Sequence, residues 1–190
     1  MTSDRIAIAA GAAVWLACAG LALWAGDDGA PSIEPEAVAA AAAGLTPAVH
    51  YAPAENLEGL DVEILGEAGE TIDMAAYVLT DGAVIDALAQ AADRGVKIRI
   101  VREASQIRDG YAEDQVRTLV ARPGVEAKTL SGAAWMHLKS YVVDRRRLRT
   151  GSANFSASGL KRQDNDLVVI SDEASVRRFE SAFEALWRRP

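Results

Sequence analysis

TIDMAAYVLTDGAVIDALAQAADRGVKIRIVR, from Thr71 to Arg102, is the stretch whose reading decides the fold. Thr71 to Leu79 holds the branched and aromatic residues of a strand. Thr80 or Asp81 can cap a helix whose apolar face is Val84, Ile85, Leu88, Ala91 and Ala92, and Gly95 stops it. Val96 to Arg102 then alternates as a second strand. Strand, helix and strand within about 30 residues is the length of one crossover unit, so a partly parallel sheet is predicted.

Working outward, Leu57, Leu60, Ile64, Leu65 and Ala68 recur at helical spacing and predict a helix before the unit. After it come a helix around Ala112 to Ala121, ending near Pro123-Gly124, and a short strand from Val125 to Leu130. Met136 to Asp144 and Arg147 to Thr150 read as strands joined by a charged turn at Arg145 and Arg146. Leu167 to Ile170 is a compact apolar strand after a polar, glycine-containing stretch. Ser171 or Asp172 caps a last helix with the stripe Val176, Phe179, Phe183 and Leu186 and with Trp187 at its edge. There is no internal repeat.

The start of the chain is different. Ile6 to Ala25 is an uncharged run of 20 residues, and a helix of that length covers about 30 Å, one bilayer core. Residues 1–30 are therefore expected to be a signal peptide or an N-terminal membrane anchor, with Arg5 before the run and Asp27 and Asp28 after it favouring export of the remainder. The expected location is the cell envelope, periplasmic or extracellular. Residues 31–53 read as an Ala- and Pro-rich linker and residues 54–190 as one folded domain. Cys18 is the only cysteine and lies in the apolar run, so the domain contains no disulfide.

The formal charge is -7, which argues against bulk adhesion to nucleic acid or anionic lipid. From Gly132 to Pro190 the balance reverses, with 11 Lys and Arg against 7 Asp and Glu, so an anion site is expected in that third.

The chemistry is concentrated in Met136 to Asp144, MHLKSYVVD. In a strand His137 and Lys139 share one face while Leu138, Ser140 and Val142 take the other. An imidazole and an ammonium on one face discourage each other's protonation. That suits a site for a phosphate diester, where the lysine neutralises phosphoryl oxygen and the histidine stays nucleophilic. Gly151-Ser152-Ala153-Asn154 follows the next strand and offers a hydroxyl and an amide donor toward an anionic oxygen. Arg145, Arg146, Arg147 and Arg149 read as a solvated turn face, with a ligand groove as the alternative, Phe155 as core, and His50 as a surface residue.

H-x-K-x-x-x-x-D followed by G-S-x-N, carried by HLKSYVVDRRRLRTGSANFSASG, resembles the motif of the phospholipase D superfamily. The resemblance runs over roughly residues 50 to 188, through Ala54 to Leu57, Asp73 to Thr80, Arg94 to Ile100 and Asp166 to Ile170. It implies an α/β fold with a mixed central β-sheet flanked by helices on both faces. It also implies a metal-independent phosphodiesterase in which His137 becomes a phosphohistidine, Lys139 and Asn154 hold the phosphoryl oxygens, and Ser152 supports them or the histidine. No cofactor and no metal is implied. Asp144 takes the place of the motif aspartate, usually structural. Family members commonly carry Glu-Asn before the last apolar strand, the glutamate orienting the histidine. Here Asn165-Asp166 stand there, which leaves Asn165, Asp164 or Asp166 for the role.

The motif occurs once, while a nucleophilic histidine needs a second group to protonate the leaving alkoxide. The expectation is a homodimer in which His137 of a second subunit completes a composite site, as in small single-motif members such as a salt-tolerant bacterial endonuclease and the mitochondrial cardiolipin hydrolase-like proteins. Nucleic acid and phospholipid both present the diester. A nonspecific endonuclease on DNA or RNA is the leading expectation, hydrolysis of phospholipids such as cardiolipin or phosphatidylcholine the second, and a catalytically weak binding module the third.

Overall fold

A computed structural model describes residues 46–132 and 134–190. The apolar run Ile6 to Ala25 and the linker up to residue 45 lie outside the described residues. No helix among the described residues is long and apolar enough to cross a membrane.

Seven strands make one sheet: β1 Ala48–Ala52, β2 Thr71–Ala76, β3 Lys97–Glu103, β4 Val125–Leu130, β5 Lys139–Val143, β6 Arg147–Thr150 and β7 Asn165–Ile170, in the spatial order β1-β7-β6-β5-β2-β3-β4. β2, β3 and β4 run parallel and the other neighbours antiparallel. The expected mixed α/β sheet is therefore present, and the β2-helix-β3 crossover is its parallel seed. The helices are α1 Leu57–Gly66, α2 Gly82–Asp93, α3 Tyr111–Val120, α4 Ala157–Lys161 and α5 Glu173–Trp187.

The helices cover both faces, and strand alternation sorts the cores. On one face Ile72, Met74, Ile98, Ile100, Tyr141 and Val143 meet Leu57, Ile64 and Leu65 of α1, Val84, Ile85 and Leu88 of α2, Val116 and Leu119 of α3, and Leu160 of α4. On the other, Ala75, Val101, Val142 and Leu148 meet Val176, Phe179, Phe183 and Leu186 of α5, the stripe read from the sequence. Each fully buried aliphatic or aromatic side chain contributes about 1.5–3 kcal/mol relative to exposure. The caps are Asp81 for α2 and Asp172 for α5, whose carboxylates accept from the amides of Val84 and Ser175.

Three sequence readings need correction. Residues 48–52, assigned to the linker, are strand β1, which pairs with β7 and leaves Val49 and Tyr51 exposed; an edge strand with one solvated side carries too weak an apolar pattern to stand out. α4, capped by Ser156, lies in the stretch read only as polar and glycine-containing; five residues are too few to show a period. Arg149 is not a solvated turn residue. It is fully buried.

Candidate phosphodiester site

The site lies at one end of the sheet, because β2 and β3 end there, β5 begins there, and the turn after β6 meets the start of β7. Lys139 opens β5 opposite Ala76, and the amide of Tyr77 donates to Leu138 O at 2.8 Å, extending the ladder toward His137. His137 itself precedes the strand.

The expected pair forms. Lys139 Nζ lies 3.1 Å from His137 Nδ1 and 3.2 Å from Nε2, and it donates to His137 O at 2.7 Å. Tyr77 packs against both groups, its ring centroid 4.2 Å from the imidazole centroid and 4.6 Å from the lysine ammonium. Burial pushes the Lys139 ammonium below its ordinary pKa, because desolvation disfavours the charged form. A bound anion would reverse that pressure.

The other group of expected site residues is the turn from Gly151 to Asn154. Gly151 has φ 143°, and a Cβ there would stand 2.4 Å from Asp166 O, so glycine alone permits the approach of β6 and β7. Ser152 Oγ donates to Asn165 Oδ1 at 3.0 Å and accepts from Asp166 N at 2.9 Å, while Ser152 N donates to Asp166 Oδ1 at 3.2 Å. Asn165 Nδ2 holds Gly159 O at 3.0 Å. Asn165 and Asp166 thus brace the Ser152 turn, and no hydrogen bond from either to His137 occurs among the described residues. Asp164 lies beside them around a shallow hollow shared with Tyr51. Asn154 Oδ1 is buried without a hydrogen-bond partner among the described residues. That leaves the amide nitrogen as the end of the side chain that can donate.

Asp144 stands at the far end of β5, roughly 15 Å from the site at the usual rise per residue. Its carboxylate accepts from the amides of Gly69, Glu70 and Thr71 at 2.8 to 2.9 Å. Burial pushes that carboxyl up, but the three amides and nearby Arg146 outweigh it and hold it below the usual range. Its role is to clamp the turn before β2, in keeping with the structural part expected of the motif aspartate. Arg145, Arg146 and Arg147 share this remote end, where Arg145 faces Glu180 and Arg147 pairs with Glu67, so they do not line the site. His50 is tied to Glu55 at 2.7 Å.

Sequence reasoning missed the supports. Glu103, buried at the end of β3, accepts from Met136 N at 2.9 Å and from Ser105 N at 3.2 Å, fixing the approach to His137. Asp61, buried on α1, receives Arg149 Nε and Nη2 at 2.9 and 3.0 Å and the Tyr141 hydroxyl at 2.9 Å. An acidic residue among apolar helix positions was the available signal.

An apolar groove of about 600 Å³ runs from His137 along Trp135, Met136 and Leu138 to Ala182, Ala185, Leu186 and Arg189. Trp135 and Leu138 are 64% and 39% exposed on its rim, too open for core residues.

The backbone of Lys139 and that of the glycine-serine-asparagine turn meet at Arg149 Nη1, and residues 62–187 match the family described as cardiolipin synthase, PLD-like domain. The chain belongs to the phospholipase D superfamily. It is similar to a mitochondrial cardiolipin hydrolase of Chlamydomonas reinhardtii, 27% identical over 127 residues covering 66% of this chain and 55% of that protein. It is likewise similar to a phospholipase D of Rickettsia prowazekii, 32% identical over 111 residues covering 58% and 53%. The chain thus spans about half the length of these curated relatives. Among solved structures, Nuc of Salmonella typhimurium, a phospholipase D family member, superposes with a TM-score of 0.69 at 25% identity, covering 75% of this chain and 94% of that one. NucT of Helicobacter pylori gives 0.69 at 19% identity, covering 75% and 96%, a likeness of fold.

Proposed function

We propose that this phospholipase D superfamily phosphodiesterase hydrolyses phosphodiesters through a phosphohistidine on His137. The observation that carries the proposal is the contact of Lys139 Nζ with both ring nitrogens of His137. A neutral imidazole nitrogen attacks phosphorus, the P–N bond forms and the P–O bond to the leaving alkoxide breaks. Lys139 and the Asn154 amide hold the phosphoryl oxygens as charge develops on them, with Ser152 fixing the turn. The alkoxide takes its proton from a second imidazole; that group then removes a proton from water, which attacks phosphorus and releases His137. His50 is held by Glu55, so the second imidazole is assigned to His137 of another subunit in a two-fold homodimer.

For the substrate, the apolar groove beside His137 favours a diester that carries hydrocarbon, a phospholipid, over a polyanion that is gripped through backbone phosphates. Relatives named phospholipase D and cardiolipin hydrolase support the same reading. Export by residues 6–25 would set the domain beside head groups. Cleavage of DNA or RNA is the second reading, supported by the 25% identity to Nuc over nearly all of that chain.

The test is a side-by-side assay of the full chain in chelator on phosphatidylcholine, cardiolipin, single-stranded and double-stranded DNA, and RNA. Release of head group with a phosphohistidine trapped on His137 is expected. Cleavage of nucleic acid alone would replace the lipid reading, and no turnover of any diester would leave a binding module.

A further inference from the structure

Resting on the phosphodiesterase reading, we infer that Arg149 is a positioning residue that sets the distance between the two halves of the site. Its guanidinium is fully buried, an expensive placement for a charge in a domain that could have used a hydrophobic residue there. Nε and Nη2 are spent on Asp61, a fully buried carboxylate on α1. Nη1 is left for the backbone, donating to Lys139 O at 2.8 Å and to Ala153 O at 3.3 Å. Those two carbonyls belong to the phosphate-clamping lysine and to the residue immediately before Asn154. They are not joined to each other in the sheet, since β6 ends at Thr150.

The plane of the guanidinium is fixed as well. It lies 4.6 Å from the Phe155 ring centroid, and Phe155 O accepts from the amides of Thr80 and Asp81 at 2.9 and 3.0 Å. Tyr141 closes the cluster through Asp61. One rigid fork therefore locks the start of β5 to the turn carrying Asn154, with α1 as its anchor. A lysine could satisfy the charge of Asp61 but could not present donors to both carbonyls and both carboxylate oxygens at once.

Two variants of the full chain test this. Arg149→Lys keeps the charge. The triple variant Asp61→Leu, Tyr141→Phe, Arg149→Met removes the whole polar cluster, so that no lone charge is left buried. With cooperative thermal unfolding retained, kcat on bis(p-nitrophenyl) phosphate is expected to fall about 10- to 100-fold with little change in KM, because donors are misplaced in the transition state. Binding of inorganic phosphate, read calorimetrically, is expected to weaken in parallel. Either variant folded, with kcat and phosphate affinity within about twofold of the parent, overturns the inference. If the parent cleaves no diester, the phosphodiesterase reading fails by itself. The phosphate titration then still decides the clamp: weaker binding in Arg149→Lys supports it and equal binding removes it.

Discussion

Lys139 Nζ stands at nearly equal distances, 3.1 and 3.2 Å, from the two ring nitrogens of His137. Tyr77 backs both groups. His137→Asn is expected to lower turnover by at least about 10³-fold while leaving the fold intact, since His137 precedes β5 and lies outside both buried cores. Radiolabelled diester with acid quench should trap a phosphoenzyme on the parent and none on the variant.

Lys139, the proposed phosphate clamp, carries a charge that burial disfavours. Lys139→Met should therefore keep or raise the melting temperature while lowering kcat by about 10²–10³-fold. A melting temperature that falls sharply would mean that the ammonium is structural.

Asp144 carries a carboxyl whose folded pKa is held below the ordinary 3.8. Its contribution to stability is full above the unfolded value and is lost as pH falls through the lower folded one. Thermal melts between about pH 2 and 5 should show an acid limb that Asp144→Asn flattens, with the neutral-pH stability reduced.

Arg149→Ala leaves Asp61 buried without its partner, and a loss of about 3–5 kcal/mol is expected from an uncompensated interior charge. Urea melts of Arg149→Ala beside the triple apolar variant measure it; the triple variant should recover most of the loss.

Trp135 and Leu138 should matter only for a hydrocarbon-bearing substrate. Trp135→Ala is expected to reduce hydrolysis of long-chain phosphatidylcholine by about 10-fold and that of bis(p-nitrophenyl) phosphate by less than about twofold, a ratio fixed by lost apolar contact. Equal effects on both would place Trp135 in the chemistry.

Much of this was written locally. The crossover from Thr71 to Arg102, the stripe of α5 and the Asp81 and Asp172 caps follow from side-chain period and capping chemistry, which neighbouring residues determine by themselves. The roles beyond local reach did not. Asp61 and Arg149 are 88 positions apart and Glu103 and Met136 are 33 apart; Arg149 read as a surface charge and Asp61 and Glu103 drew no reading, because the packing of α1 and the ends of β3, β5 and β6 is what removes water from them. The sequence alone singled out the groups proposed to do the chemistry. Tertiary structure decided what holds them, since a charge acquires a buried partner only once distant segments exclude solvent around both.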